Sequence, residues 1–68
     1  MTFPLRALTP RESQVLQLLA TDASEPQIAE KLFISVNTVK AHRRRIYLVL
    51  GVHSRAEAVA KYLDMIEG

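Results

Sequence analysis

The chain has 68 residues, of which 49% are hydrophobic, so it can form one compact core but not a second domain with its own catalytic cleft. It contains no cysteine, which excludes a disulfide framework and a cysteine zinc site and fits a reducing compartment. The net charge is only +2, but none of the seven acidic residues lies between Lys31 and Ala56, as expected of a surface that binds a polyanion.

Residues 1–8 are interpreted as an N-terminal lead-in or linker, followed by one domain at residues 9–67. Met1–Arg6 lacks an apolar run of signal-peptide length, and no stretch approaches the roughly 18 apolar residues of a membrane span. We therefore expect a cytoplasmic protein without a membrane partner.

Two helix starts stand out in the first half of the chain. Thr9, Pro10 and Glu12 form a capping-box pattern that predicts a helix over residues 10–20. Ser24 and Gln27 repeat the pattern and predict a short helix over residues 25–33. The apolar positions expected to face inward are Val15, Leu16, Leu18, Leu19, Ile28, Ala29 and Leu32, with Leu5 and Leu8 folding back onto the first helix.

The second half of the chain predicts two further helices. Ser35 is an N-cap for residues 36–50, and Gly51 is a left-handed C-cap. Ser54 and Glu57 form a third capping box, which opens a helix over residues 55–66. Because so few residues separate the second and third helices, they must cross steeply, which is the helix-turn-helix arrangement. The expected fold is all-α, a four-helix helix-turn-helix domain.

The third helix has two contrasting faces. Val39, Ile46 and Leu50 form the buried stripe, and the opposite side carries Asn37, Ala41, Arg44 and Leu48, flanked by Lys40 and Arg45. Lys40 and Arg44, one turn apart, can reach base edges in the major groove of double-stranded DNA, and the small Ala41 permits close approach. Lys40, Ala41 and Arg44 are therefore the predicted base contacts. The alternative is that the cations only solvate an exposed helix.

A second group of residues is predicted to hold phosphates. Polar side chains at the N-terminus of the third helix lie where free N–H groups and the helix dipole favour an anion, and the flanking arginines face the two strands. The candidate phosphate contacts are Ser35, Asn37, Thr38, Arg43, Arg45 and Lys31. For Ser35 the competing role is the cap itself, and for Lys31 it is a solvent-facing lysine.

The two histidines do not indicate a metal or catalytic site. His42 lies beside the buried stripe and is interpreted as hydrogen-bonded between helices, and His53 has no partner at ligand spacing. No nucleophile, base and orienting group come together, and no glycine-rich phosphate loop exists. We therefore expect no enzymatic activity, no metal and no cofactor.

Taken together, the motifs resemble the LuxR-type, or FixJ/NarL-type, DNA-binding domain of bacterial transcriptional regulators. The resemblance is carried by Leu8-Thr9-Pro10-Arg11-Glu12, Val15-Leu16, Ile28-Ala29-Glu30-Lys31-Leu32, Ile34-Ser35, Thr38-Val39-Lys40-Ala41-His42, Leu50-Gly51-Val52, Ser54-Arg55 and Ala58-Val59. It implies a third helix in the major groove, base contacts at Lys40 and Arg44, and a fourth helix that often forms a homodimer. The chain is then either a stand-alone regulator or the DNA-binding end of a longer one, associated with the nucleoid when bound, and its further partners are a regulatory domain or RNA polymerase.

Two features depart from that pattern or extend it. Val49 replaces a lysine common in the family, and Leu48 falls on the DNA side, where it contacts thymine methyls or sugars, or another protein domain. On the fourth helix, Val59, Tyr62 and Ile66 are expected to face inward. The adjoining edge of Ala56, Ala60 and Leu63 is expected to pair with a second copy, which would place two recognition helices on an inverted repeat.

Two other interpretations of the sequence stay open. A sigma-factor region-four domain shares the cap and turn signals, but the segment Leu50–Val52 and the capped fourth helix favour the LuxR type. The second alternative is a protein-interaction module of the same fold that does not bind DNA, with Leu48 and Val49 as its contact patch. Binding to DNA that weakens steeply with salt distinguishes a DNA-binding domain from such a module.

Overall fold

The structure, a computed structural model, describes residues 7–67, which form four helices and no strand. The helices are α1 (Pro10–Leu19), α2 (Glu25–Leu32), α3 (Val36–Leu50) and α4 (Arg55–Glu67). All four predicted helices are confirmed to within one residue at each end, as is the short turn between α2 and α3. The expected packing of Leu5 concerns a residue outside the described range.

The first three helices begin where local hydrogen bonds satisfy backbone donors. The Thr9 hydroxyl accepts from the Glu12 N–H at 3.1 Å, and the Glu12 carboxylate accepts from the Thr9 N–H at 2.9 Å. Ser24 and Gln27 form the same reciprocal pair, at 3.3 and 2.8 Å. The Ser35 hydroxyl accepts from the Thr38 N–H at 3.0 Å. Each such cap contributes about 1 kcal/mol, so helix start points are encoded locally.

The start of α4 differs from its prediction. The Ser54 hydroxyl accepts from the Glu57 N–H at 3.1 Å, as expected, but the Glu57 carboxylate accepts from the His53 N–H at 2.9 Å. In the predicted capping box the Glu57 carboxylate would accept from the Ser54 N–H, but here the donor is the N–H of the preceding residue. The carboxylate still lies at the positive end of the helix dipole, which stabilises it there.

Two residues turn the chain with a positive φ. Gly51, at φ 69°, ends α3 in the left-handed conformation that was predicted, and the next N–H, of Val52, donates to the Tyr47 carbonyl at 3.0 Å. Phe33 ends α2 at φ 57° and is 94% exposed. A side chain in this conformation costs about 1–2 kcal/mol, and burial of the ring does not offset that cost. The turn between α2 and α3 thus contains an aromatic residue, Phe33, that has a strained backbone and an exposed side chain.

The core lies around α3, which packs against each of the other three helices. Val39, Ile46 and Leu50 are buried, as the helical periodicity predicted, and Leu8 is buried as well. The residues without measurable exposure come from all four helices: Val15, Leu16, Ile28, Val39, Ile46 and Ala58. This packing holds α3 in one rotational setting and so fixes which of its residues face outward.

The inward face of α4 was partly mispredicted. Ala58 is fully buried, and Tyr62 and Met65, one and two turns further on, pack against the core. Ile66 is 55% exposed, so its assignment to the inward stripe was wrong. The small side chain of Ala58 lets α4 approach the core closely, and this sets the rotation of the helix so that Ile66 turns toward solvent.

Candidate nucleic-acid interface

One face of α3 points away from the core along its whole length. Asn37, Ala41, Arg44 and Leu48 are exposed, at spacings that place them on one stripe of the helix, and Lys40 is half-buried beside it. The predicted outward face is therefore present in the structure. The face is as long as the helix and carries no acidic side chain, since α3 contains no Asp or Glu.

The three consecutive arginines have different surroundings. Arg43 forms an ion pair with Glu25 at the start of α2, and its guanidinium carbon lies 6.0 Å from the centre of the Tyr47 ring. Arg45 places Nε 3.9 Å from the Glu12 carboxylate. Arg44 forms no ion pair within residues 7–67, nor does Lys40. The structure thus leaves the two predicted base-reading cations without a carboxylate partner and gives partners to their neighbours.

Glu12 links the start of α1 to the outer side of α3. One of its oxygens caps Thr9, and the other lies 3.9 Å from Arg45 Nε and 4.0 Å from His42 Nδ1. His42 is half-buried in the seam between the helices, as predicted, but 4.0 Å is longer than a hydrogen bond, so the predicted hydrogen bond is not formed with this carboxylate. Because Glu12 is buried, solvent ions screen the attraction between its carboxylate and the cationic side of α3 less than they would at an exposed site.

Tyr47 and Arg43 form a mixed polar and aromatic contact at the side of α3. Burial raises the pKa of the Tyr47 hydroxyl above its usual 10.0, while the positive charge of Arg43 acts in the opposite direction. The phenol is therefore neutral at physiological pH. The ring supports the Arg43 guanidinium, which is held between it and Glu25.

At the N-terminus of α3 the hydroxyl groups of Ser35 and Thr38 lie 2.9 Å apart and share a hydrogen bond. Ser35 also caps the helix, so its oxygen already has two partners. Asn37 is exposed at the same end. Lys31 is exposed in the last turn of α2. The roles of these four residues as phosphate contacts stay predictions.

Arg55 has a structural position that the sequence did not indicate. Its Nε donates to the Leu19 carbonyl at 3.0 Å, and Nη2 donates to the carbonyls of Thr21 and Ala23 at 2.9 and 2.6 Å. The guanidinium therefore caps the C-terminal end of α1 and the loop that follows it, where helix carbonyls lack partners. This residue lies in the acid-free window but is committed to the fold, and no local signal reveals a contact across more than thirty residues.

The edge of α4 that was predicted to pair with a second copy is exposed. Ala56, Ala60 and Leu63 lie on the surface, and Leu63 is 41% exposed. Together with Leu19 and Val59 they line a shallow groove of about 580 Å³ between α4 and the end of α1. The groove is mainly apolar, and its charged lining residues are Asp22 and Arg55.

Residues 7–67 carry neither a metal-binding cluster nor a membrane span. These residues include no group of three or more His, Asp or Glu side chains placed to hold a metal ion. None of the four helices is long and apolar enough to cross a membrane.

Comparison with known proteins gives a consistent result. Residues 6–62 match the GerE family, described as bacterial regulatory proteins of the luxR family. The chain is 48% identical over 61 residues to a nitrate/nitrite response regulator protein homolog of Haemophilus influenzae, covering 90% of this chain and 29% of that protein. It is 45% identical over 58 residues to the oxygen regulatory protein NreC of Staphylococcus aureus, covering 85% of this chain and 27% of that protein. The chain thus spans less than a third of the length of these relatives.

Proposed function

The chain belongs to the luxR family of bacterial regulatory proteins and is a DNA-binding helix-turn-helix domain of transcription regulators, and from this premise we propose that α3 reads a specific sequence in the major groove. Membership of this family favours that reading over a sigma-factor region-four domain. This proposal concerns the present domain. We further propose that the domain is joined to a regulatory domain in a longer regulator.

The observation that carries the proposal is the outward stripe of α3. Lys40 and Arg44 lie one turn apart on or beside it, without ion pairs in the described part of the chain. A guanidinium or ammonium group can donate to O6 and N7 of guanine, and Ala41 between them brings the helix axis close to the bases. Because the opposite side of α3 is buried in the core, the stripe is presented rigidly.

Phosphate contacts on both sides of the stripe supply affinity without sequence information. We assign them to the residues predicted from the sequence: Ser35, Asn37, Thr38, Arg43, Arg45 and Lys31. Arg43 has five N–H groups, and it can keep Glu25 with one of them while another faces a phosphate. Ser35 acts chiefly by capping α3, since its hydroxyl accepts a hydrogen bond from the Thr38 N–H.

The test of this function is selection of bound duplexes from a random pool by the 68-residue chain, followed by affinity measurements at several salt concentrations. We expect one enriched sequence, and an affinity that falls steeply with salt because each phosphate contact releases counterions. A chain retained on no duplex at low salt would instead be an interaction module of the same fold. Binding to all duplexes alike would refute sequence reading by Lys40 and Arg44.

We also propose that two copies bind an inverted repeat through the exposed edge of α4. Ala56 and Ala60 allow two helices to approach closely, and Leu63 can enter the groove that its partner forms from Leu19 and Val59. A twofold axis at this edge would place the two α3 helices about one DNA turn apart.

The substitution Leu63→Glu tests the dimer. It places two like charges near the twofold axis, so we expect binding to an inverted repeat to weaken by more than about tenfold and binding to one half-site to stay unchanged. Lys61→Gln, at an exposed position on the opposite side of the same helix, is the matched control for the same change in net charge. Equal effects of the two substitutions on the inverted repeat would argue against this edge as the interface.

A further inference from the structure

A shallow depression lies where α3 ends and the chain turns toward α4. It has a volume of about 410 Å³ and is lined by Arg44, Tyr47, Leu48, Gly51, Val52 and His53. Leu48 is the most exposed aliphatic side chain among them, at 79%. We propose that this depression holds the sugar–phosphate strand that borders the major groove, with Leu48 against a deoxyribose and His53 beside the adjoining phosphate. The proposal rests on the DNA-binding function above.

The position of Leu48 along α3 distinguishes a strand contact from a base contact. Leu48 lies seven positions after Ala41, which is about 10 Å along a helix axis. The major groove is about 12 Å wide, and recognition helices of this kind reach base edges with their N-terminal residues. With Ala41 at the floor of the groove, Leu48 in the last turn lies at its wall, where the strand runs.

The chemistry of the depression matches a sugar–phosphate strand. Leu48, Tyr47 and Val52 give the depression an apolar lining that suits the C–H groups of a deoxyribose. His53 also lines the depression and suits the phosphate that adjoins that sugar. The carboxylate closest in the chain, that of Glu57, accepts hydrogen bonds from the His53 N–H and the Ser54 hydroxyl, so it is engaged at the start of α4.

The depression is also continuous with the proposed interface. Arg44 belongs both to the outward stripe and to the lining of the depression, and Leu48 follows it by one turn on the same stripe. A duplex bound by Arg44 therefore already passes this point. A second protein domain on Leu48 would have to share Arg44 with the DNA.

The experiment compares Leu48→Ala, Leu48→Lys and His53→Ala in the 68-residue chain, with Ile66→Ala as the control for loss of an exposed aliphatic side chain. Each is measured on the selected duplex and on a random-sequence duplex across a range of salt concentrations. We expect Leu48→Ala and His53→Ala to weaken both duplexes by the same factor, about three- to fivefold. Leu48→Lys should strengthen both and steepen the dependence of log K on log salt by about one, because it adds a phosphate contact.

Several outcomes overturn the proposal. If Leu48→Ala binds both duplexes like the wild type, the strand does not lie in the depression. If its loss is confined to the selected duplex and disappears when one thymine is replaced by deoxyuracil, Leu48 contacts a thymine methyl group. Weaker binding of Leu48→Lys to both duplexes also contradicts it. A wild-type chain that binds neither duplex would refute the proposed function itself, which is a distinguishable result.

Discussion

Replacing Arg44 with alanine is expected to weaken binding to the selected DNA site by about 1–3 kcal/mol and to flatten the preference for that site over others. Arg44 is exposed, forms no ion pair within residues 7–67 and lies on the outward stripe of α3. Under the proposed function its loss removes donors to a base edge, and it breaks no ion pair of residues 7–67. Lys40→Ala should have an effect of the same kind, because Lys40 lies one turn earlier beside the same stripe.

The measurement is the affinity of each variant for the selected duplex and for a random duplex at one fixed salt concentration. Arg45→Ala is the matched control, since Arg45 is a neighbouring arginine that lies beside Glu12 and is assigned to a phosphate. It should weaken binding to both duplexes equally. Equal losses on both duplexes for Arg44, Lys40 and Arg45 would refute the division into base and phosphate contacts.

Replacing Arg55 with alanine is expected to lower the free energy of unfolding by about 3 kcal/mol. The guanidinium donates to three backbone carbonyls at the end of α1, and hydrogen bonds that involve a charged group contribute about 1.5–3 kcal/mol each, with partial exposure reducing the sum. A domain of this size has a total stability on the order of 5 kcal/mol. The variant should therefore be partly unfolded near physiological temperature.

Urea denaturation followed by circular dichroism measures this effect. Arg55→Lys should lose most of the same stability, because one ammonium group cannot hold three carbonyls in the geometry of the guanidinium fork. Lys61→Ala, at an exposed position on the same helix, should change stability by less than about 0.5 kcal/mol. A midpoint for Arg55→Ala that matches wild type, with reduced affinity for all DNA, would instead assign Arg55 to the DNA surface.

The basic residues of the acid-free window thus have different roles although they look alike in the sequence. Arg55 holds α4 to the end of α1, and Arg43 joins α3 to the start of α2 through Glu25. Lys40 and Arg44 are left to the outward face. The window has no acidic residue in the sequence, but the fold brings two carboxylates from other helices next to it. Glu25 lies beside Arg43, and Glu12 lies beside Arg45.

Helix positions and the outward face of α3 were predictable from local signals. Thr9, Ser24 and Ser35 cap helices by accepting a hydrogen bond from the N–H three residues later. Gly51 ends α3 through its own backbone conformation. The burial of Val39, Ile46 and Leu50 follows from a periodicity within one helix. Such features depend on residues within about one or two turns, so the order of residues along the chain is sufficient to specify them.

Only packing of the whole domain decided the rest. Arg55 reaches carbonyls 32 to 36 residues away, and Arg43 meets Glu25 across 18 residues, through long side chains with many rotamers. Ala58 rather than Ile66 faces the core because a small side chain permits the closest approach of α4, and hydrophobicity alone ranks the two residues the other way round. These contacts depend on the distances and rotations between helices, which arise when the side chains of all four helices fill one shared interior.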